Sequence, residues 1–205
     1  MHTHLVLIAD RSGSMQGKES DVIGGVNKFI GEQKAADGSA VLTVVQFDDK
    51  YEPEKTVEIG AAKEWTTHTY KPRGSTALLD AVGRAMNDVG AEVSKSSIKV
   101  DKVIVTIVTD GQENASREFT YERIKDMIKH AESNGWTFLF LGADPSSWRM
   151  ASAMGISAQN FAATESALQG AAYASASFTA AQVRSGKAVS VNLQQTYDAN
   201  TKTAH

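Results

Sequence analysis

Asp10, Ser12 and Ser14 are the first residues of this chain whose types and spacing offer chemistry, at alternating positions in LVLIADRSGSM. One carboxylate and two hydroxyls are hard oxygen ligands, and on a tight Gly-containing loop they suit a small divalent cation. The apolar run before them, ending at Ala9, has the character of a buried parallel strand. It would hold the segment at its carboxyl end, where open α/β sheets place ligands. A second apolar run, Val103 to Thr109, ends in Asp110-Gly111. Two central parallel strands thus each deliver an aspartate at the same edge. Thr76, in Gly74-Ser75-Thr76 at the opening of a helix, reaches the same crevice if the strand order reverses between those two strands. The candidate shell is Ser12, Ser14 and Thr76, with Asp10 and Asp110 bound either directly or through water.

Alternating strands and helices must position these groups. The strands are His4–Ala9, Val41–Phe47, a return strand Tyr51–Ile59 interrupted by Pro53, Val103–Thr109, Thr137–Leu141 and Asn160–Ala163. Between them run helices. The first is N-capped by Ser20 or Asp21, with Val22, Ile23, Val26, Phe29 and Ile30 on one face. Gly24 and Gly25 weaken it, or let it approach the sheet closely. Another carries Leu78, Leu79, Val82, Met86, Val89 and Val93 at helical spacing. A third, Tyr121–Asn134, turns Ile124, Met127, Ile128 and Ala131 inward and stops at Gly135. Ser147–Met154 forms a short one. After Met150 the composition shifts to Ala and Ser. A last helix starts at Thr164 and Glu165, with Leu168, Ala171, Ser175, Phe178 and Gln182 on one stripe. That stripe is weakly apolar, which implies close packing or marginal stability. The pattern predicts a doubly wound α/β domain over residues 1–186, and a tail, 187–205, that is partly disordered or ordered by a partner.

Composition limits the function. At 205 residues one domain is the default, and a net charge of −3 gives no reason to expect nucleic acid as a partner. With no cysteine, disulfides and thiolate metal sites are excluded. The opening MHTHLVLIAD lacks the basic and long apolar regions of a signal peptide, and no run approaches the roughly 18 apolar residues of a membrane span. A cytoplasmic protein without membrane contact is the simplest expectation. His2 and His4 read as an exposed strand start, and Asp48-Asp49-Lys50 as a solvated turn.

Three motifs in order, Asp10-Arg11-Ser12-Gly13-Ser14, Gly74-Ser75-Thr76-Ala77-Leu78 and Thr109-Asp110-Gly111, resemble the metal-ion-dependent adhesion site of the von Willebrand factor type A family. The stretches DVIGGVNKFI, VVQFDDKYE, TDGQENAS and GWTFLFLGA are similar to small, single-domain, cytosolic members from bacteria and their phages. The likeness covers roughly residues 4 to 165 and implies a six-stranded sheet ordered 3-2-1-4-5-6, with strand 3 antiparallel. It also implies a Mg²⁺, Mn²⁺ or Ca²⁺ ion whose sixth position accepts a carboxylate from a partner.

These readings predict a non-enzymatic binding module. Hydroxyl ligands and only two carboxylates leave the ion with excess positive charge, which an Asp or Glu from a protein partner would neutralise. Met15, Trp65, Arg73, Gln112 and Glu113 are candidates for the surrounding rim, and the loop 62–74 should line it. One alternative is a Mg²⁺-dependent phosphoryl hydrolase, which needs a nucleophile or base beside the ion. Another is a phage-derived assembly protein with a purely structural ion.

Overall fold

The computed structural model describes residues 1–110, 112–142, 147–163 and 170–186, with Leu193 and Asp198. The expected tail, apart from those last two residues, lies outside the described residues, as do Thr164, Glu165 and Leu168 of the expected last helix. Among the described residues seven strands form one sheet: β1 (His2–Asp10), β2 (Ser39–Phe47), β3 (Tyr51–Pro53), β4 (Val57–Glu58), β5 (Lys102–Thr109), β6 (Trp136–Gly142) and β7 (Phe161–Ala163). The order is β3-β2-β1-β5-β6-β7, with β4 also on β2. The helices are α1 (Glu19–Ala35), α2 (Leu78–Lys95), α3 (Tyr121–Ser133), α4 (Trp148–Ala153) and α5 (Gly170–Arg184).

This is the expected doubly wound order, with one refinement. The return strand is two short antiparallel pieces, β3 and β4, on the outer side of β2. Pro53 has no N–H to give to a ladder. The chain leaves the β3 pairing there, bonds Val44 O once through Glu54 N at 2.7 Å, and pairs again at Val57.

Strand alternation divides the core into two layers. Leu5, Leu7 and Ala9 of β1 face α1 and α5, together with Leu42, Val44, Ile104 and Leu139. Val6 and Ile8 face α2, α3 and α4, together with Val45, Phe47, Val105 and Phe138. β1 is paired in parallel on both sides, with β2 and with β5. The chain goes from β1 to β2 on one side and reaches β5 on the other, so the switch point lies between β1 and β5.

Several local expectations are corrected. α1 is N-capped by Lys18, without a side-chain cap bond, rather than by Ser20 or Asp21. His4 is not an exposed strand start: it is buried, its Nε2 2.7 Å from Thr43 Oγ1, and burial pushes its imidazole below the usual range. His2, partly buried, places Nδ1 2.9 Å from Ser39 Oγ. On α5 the expected stripe is displaced, because Phe178 is exposed whereas Ala172, Tyr173, Ala176, Ala180 and Val183 are buried.

α5 is packed against α1 by small residues and by polar locks. Arg184, at the end of α5, donates from Nη1 to Gln33 O (2.7 Å) and from Nη2 to Gly38 O (2.8 Å), placing a cation at the C-terminal end of α1. Gln33 Nε2 in turn donates to Ser177 O and Oγ, both at 2.8 Å. The two glycines of α1 differ in role. A Cβ on Gly25 would stand 2.1 Å from the Tyr173 ring, so Gly25 admits α5 rather than the sheet. A Cβ on Gly24 would meet nothing within 4 Å.

That difference predicts opposite effects of one substitution. Gly25→Ala should destabilise the protein by about 1–3 kcal/mol through overpacking on Tyr173. Gly24→Ala, on an exposed helical position, should stabilise it by about 0.5–1 kcal/mol. Urea unfolding of the two variants checks this, and equal effects would contradict the assigned packing.

Candidate metal centre

Asp10 is the last residue of β1, opposite Phe47 of β2, and is fully buried. Its Oδ1 accepts from Ser12 N at 2.7 Å and its Oδ2 from Thr109 Oγ1 at 2.5 Å. The phenol of Tyr70 donates to Asp10 O at 2.6 Å. Burial pushes the Asp10 carboxyl above its usual range. The hydrogen bonds from Thr109 and Ser12 oppose that rise, and the charge of Asp48 adds to it.

Beyond Asp10 the chain turns through a 3-10 segment, Gly13–Met15, into α1. Ser12 Oγ lies 3.0 Å from Ser14 Oγ, and Ser14 Oγ donates to Asp110 Oδ1 at 2.9 Å. The other Asp110 oxygen, Oδ2, is ion-paired with Lys18 Nζ. Asp10, Ser12, Ser14 and Asp110, which come from two strand ends, therefore form one connected polar group at the switch point.

Thr76 is buried and lies two residues before α2 rather than in its first turn. The loop that carries it is tied to its neighbours through the backbone. Gly13 N donates to Gly74 O (3.0 Å), Arg73 N to Arg11 O (2.7 Å), and Asn114 N and Ala115 N both to Thr76 O. Thr76 N donates to Asn114 Oδ1 at 2.9 Å. Gly74 has φ +69°, a left-handed turn that favours glycine, and a Cβ there would also displace the Asp49 carboxylate. The three motifs thus belong to one cluster of loops.

The proposed rim is only partly a rim. Met15 is fully buried in the core between the sheet and α1, and Trp65 is 5% exposed there, stacked on Tyr70 at 5.4 Å. Both are corrections: these large apolar side chains, from the segment after β1 and the loop before α2, turn into the core layer that faces α1. Glu113 is a further correction. Its Oε2 accepts from Leu79 N (3.0 Å) and Ser116 Oγ, and its Oε1 from Ala115 N and Ser116 N. It caps α2, whose own cap residue, Ala77, has no side chain to do so. Gln112 is exposed. Arg73 is half-exposed but already paired with Asp48 (2.7 Å) and Glu52 (2.5 Å).

Asp48 is not part of a solvated turn. It is fully buried and accepts from Arg11 Nε at 3.0 Å, Arg73 Nε at 2.7 Å and Lys50 N at 2.7 Å. Arg11 extends the network to Glu52 Oε1 at 2.7 Å. Burial pushes the Asp48 carboxyl up, but the bonds from Arg73 and Lys50 and the charges of Arg11 and Arg73 outweigh it, leaving it below the usual range. Asp48 and Asn114 were missed as organising residues because each acts through partners distant in sequence. Asp80, whose carboxylate accepts from Arg117 N, Glu118 N and Phe119 N, was missed for the same reason.

The donor set fits a small hard cation: two hydroxyls in contact and two buried carboxylates, with Thr76 held on the adjoining loop. Among the described residues no three or more His, Cys, Asp or Glu side chains are grouped so that they could hold a metal ion. An ion here would therefore rely on hydroxyls, which suits an oxygen-seeking divalent ion better than zinc's usual nitrogen and sulfur donors.

The sheet order and the helices on both faces define a Rossmann-like α/β domain, with the oxygen-rich group at its switch point. The von Willebrand factor type A domain profile matches residues 4–186, and the chain belongs to that family. No curated protein matches it at a significant level. Among solved structures, the PilB minor pilin from Streptococcus sanguinis is similar in fold, with TM-score 0.66 and 11% identity over 89% of this chain and 62% of that one. Proximal thread matrix protein 1 from the mussel byssus, with a zinc-occupied MIDAS motif, gives 0.58 and 16% over 81% and 42%. A von Willebrand factor type A protein from Catenulispora acidiphila gives 0.57 and 15% over 89% and 43%. The chain spans less than two thirds of the length of each of these structures. Family members often bind a divalent metal at this motif and generally mediate protein–protein interactions.

The Asp48 network predicts a specific acid sensitivity. A carboxyl held below its unfolded value contributes stability that is complete above the unfolded pKa, about 3.9, and is lost as pH falls through the folded value. Asp48→Asn should lower stability at pH 7 and flatten the loss of stability below about pH 4. Urea titrations of both proteins across that range check this. An unaltered acid limb in the variant would place the sensitivity elsewhere.

Proposed function

We propose that this chain is a non-enzymatic protein-binding module whose recognition depends on a divalent cation, Mg²⁺ in the first instance and Mn²⁺ or Ca²⁺ as alternatives. The observation that carries the reading is the connected group Ser12–Ser14–Asp110 beside buried Asp10, at the carboxyl ends of β1 and β5, the switch point of the sheet. Ser12, Ser14 and Thr76 would hold the ion, with Asp10 and Asp110 contributing directly or through water. When bound, the ion supplies a positive charge and an open position for an acidic side chain of a partner protein.

The protein's own residues do the rest. Thr109, Tyr70 and Ser12 N fix Asp10 and its backbone, so the first strand end cannot drift. Asn114, Glu113 and Asp80 bind the loop after β5 to the start of α2 and thereby hold Thr76 and Asp110 in one frame. The alternative, a Mg²⁺-dependent phosphoryl hydrolase in which Asp10 attacks a phosphoryl group, has less support: both Asp10 carboxylate oxygens already accept hydrogen bonds and the residue has no exposure.

Isothermal titration with Mg²⁺ and Mn²⁺ should give one site per chain. Asp10→Ala, and the double variant Ser12→Ala with Ser14→Ala, should each weaken it by about tenfold or more while circular dichroism stays folded. Affinity that is the same in all three proteins would remove the ion from these residues. Thr76→Ala should retain some ion binding but lose proteins captured in Mg²⁺ and released by chelator. Capture indifferent to both the substitution and the chelator would put recognition on another surface.

A further inference from the structure

We propose that Lys18 is a built-in counter-ion of the cation site, whose ammonium holds the place of positive charge on Asp110 until a divalent ion displaces it. This rests on the metal-site reading above and adds a residue that no motif of the site contains.

The Asp110 carboxylate is only 1% exposed, and its two oxygens have different partners. Oδ1 accepts from the Ser14 hydroxyl, and Oδ2 is ion-paired with Lys18 Nζ. Arg11, the other cation of the loop between β1 and α1, is turned away onto Asp48 and Glu52. Lys18 is therefore the side chain that supplies positive charge to this carboxylate in the described structure.

The backbone of Lys18 is fixed while its side chain has a way out. Lys18 N donates to Met15 O at 3.1 Å, and Lys18 O accepts from Asp21 N and Val22 N, both at 3.1 Å. The side chain is 38% exposed, so the ammonium can swing to solvent on its flexible stem without unfolding the loop. An ammonium and a divalent ion on one carboxylate repel each other strongly in a partly buried site. Ion binding must then break a charge-assisted hydrogen bond, which weakens the apparent affinity. In the absence of the ion, the same bond keeps Asp110 and Ser14 in their places. Removing the ammonium should therefore tighten ion binding and weaken the metal-free fold, two effects of opposite sign from one change.

The test is titration of Mg²⁺ and Mn²⁺ into wild type, Lys18→Met, Lys18→Arg and Lys28→Met, the last removing an exposed charge from the same helix. Lys18→Met should bind about tenfold or more tightly than wild type. Lys18→Arg should stay weak, and Lys28→Met should change affinity less than about twofold. Metal-free Lys18→Met should melt below wild type and gain more than wild type from saturating Mg²⁺. In the wild-type protein, where no variant need fold, the Lys18 13Cε resonance should shift on Mg²⁺ saturation. Wild type that binds the ion while Lys18→Met binds no more tightly, or a Lys18 resonance unmoved at saturation, would overturn the Lys18 assignment and leave the metal site standing. Failure of both wild type and Lys18→Met to bind either ion would overturn the metal-site reading, and this inference with it.

Discussion

A carboxylate with no solvent exposure, at the end of the central strand, is the constraint on which the carboxyl edge of this molecule depends. Asp10 can stay there only if the protein supplies the hydrogen bonds that water would have given. It takes them from three places: the hydroxyl of Thr109 on the neighbouring strand, the N–H of Ser12 in the loop it starts, and, for its carbonyl, the phenol of Tyr70 from the loop before α2. Satisfying Asp10 therefore draws the three site loops towards one point. The cost that remains is visible in its carboxyl, which burial pushes upward, the condition a nearby cation would relieve.

The surrounding loops are held by carboxylates and amides that accept from backbone N–H groups. Glu113 and Asp80 together accept from Leu79, Ala115, Ser116, Arg117, Glu118 and Phe119. Asp48 does the same for the other flank through two arginines and Lys50 N. These bonds are what allow a site made of loops to be as ordered as one built on strands. On the α1 face of the sheet, Tyr173 seated over Gly25 and Arg184 at the end of α1 fasten α5 in the layer that also holds Trp65 and Tyr70.

Much of this was legible from the chain itself, for identifiable reasons. β1 and β5 are continuous apolar runs ending in aspartate, a pattern that a buried parallel strand produces and little else does. Their pairing followed from topology. What stayed hidden depended on contacts between distant residues. Asp48 looks like any turn aspartate until Arg11 and Arg73 converge on it. Met15 and Trp65 look like rim residues until their two loops are seen to fold these apolar side chains inward. On α5, a helix rich in Ala and Ser offers no strong apolar period, so the stripe was displaced and Tyr173 overlooked. Gly25 pointed to a close approach, but the neighbour is a helix rather than the sheet.

The central claim is that the ends of β1 and β5, with the loop before α2, enclose one divalent ion. Anomalous diffraction from crystals grown with Mn²⁺ tests it most directly. The account predicts a single strong peak in the crevice between β1 and β5, bordered by Ser12, Ser14 and Thr76, with Asp10 and Asp110 bound to it directly or through water. A crevice without a peak at saturating Mn²⁺, or a peak coordinated by other residues, would contradict it.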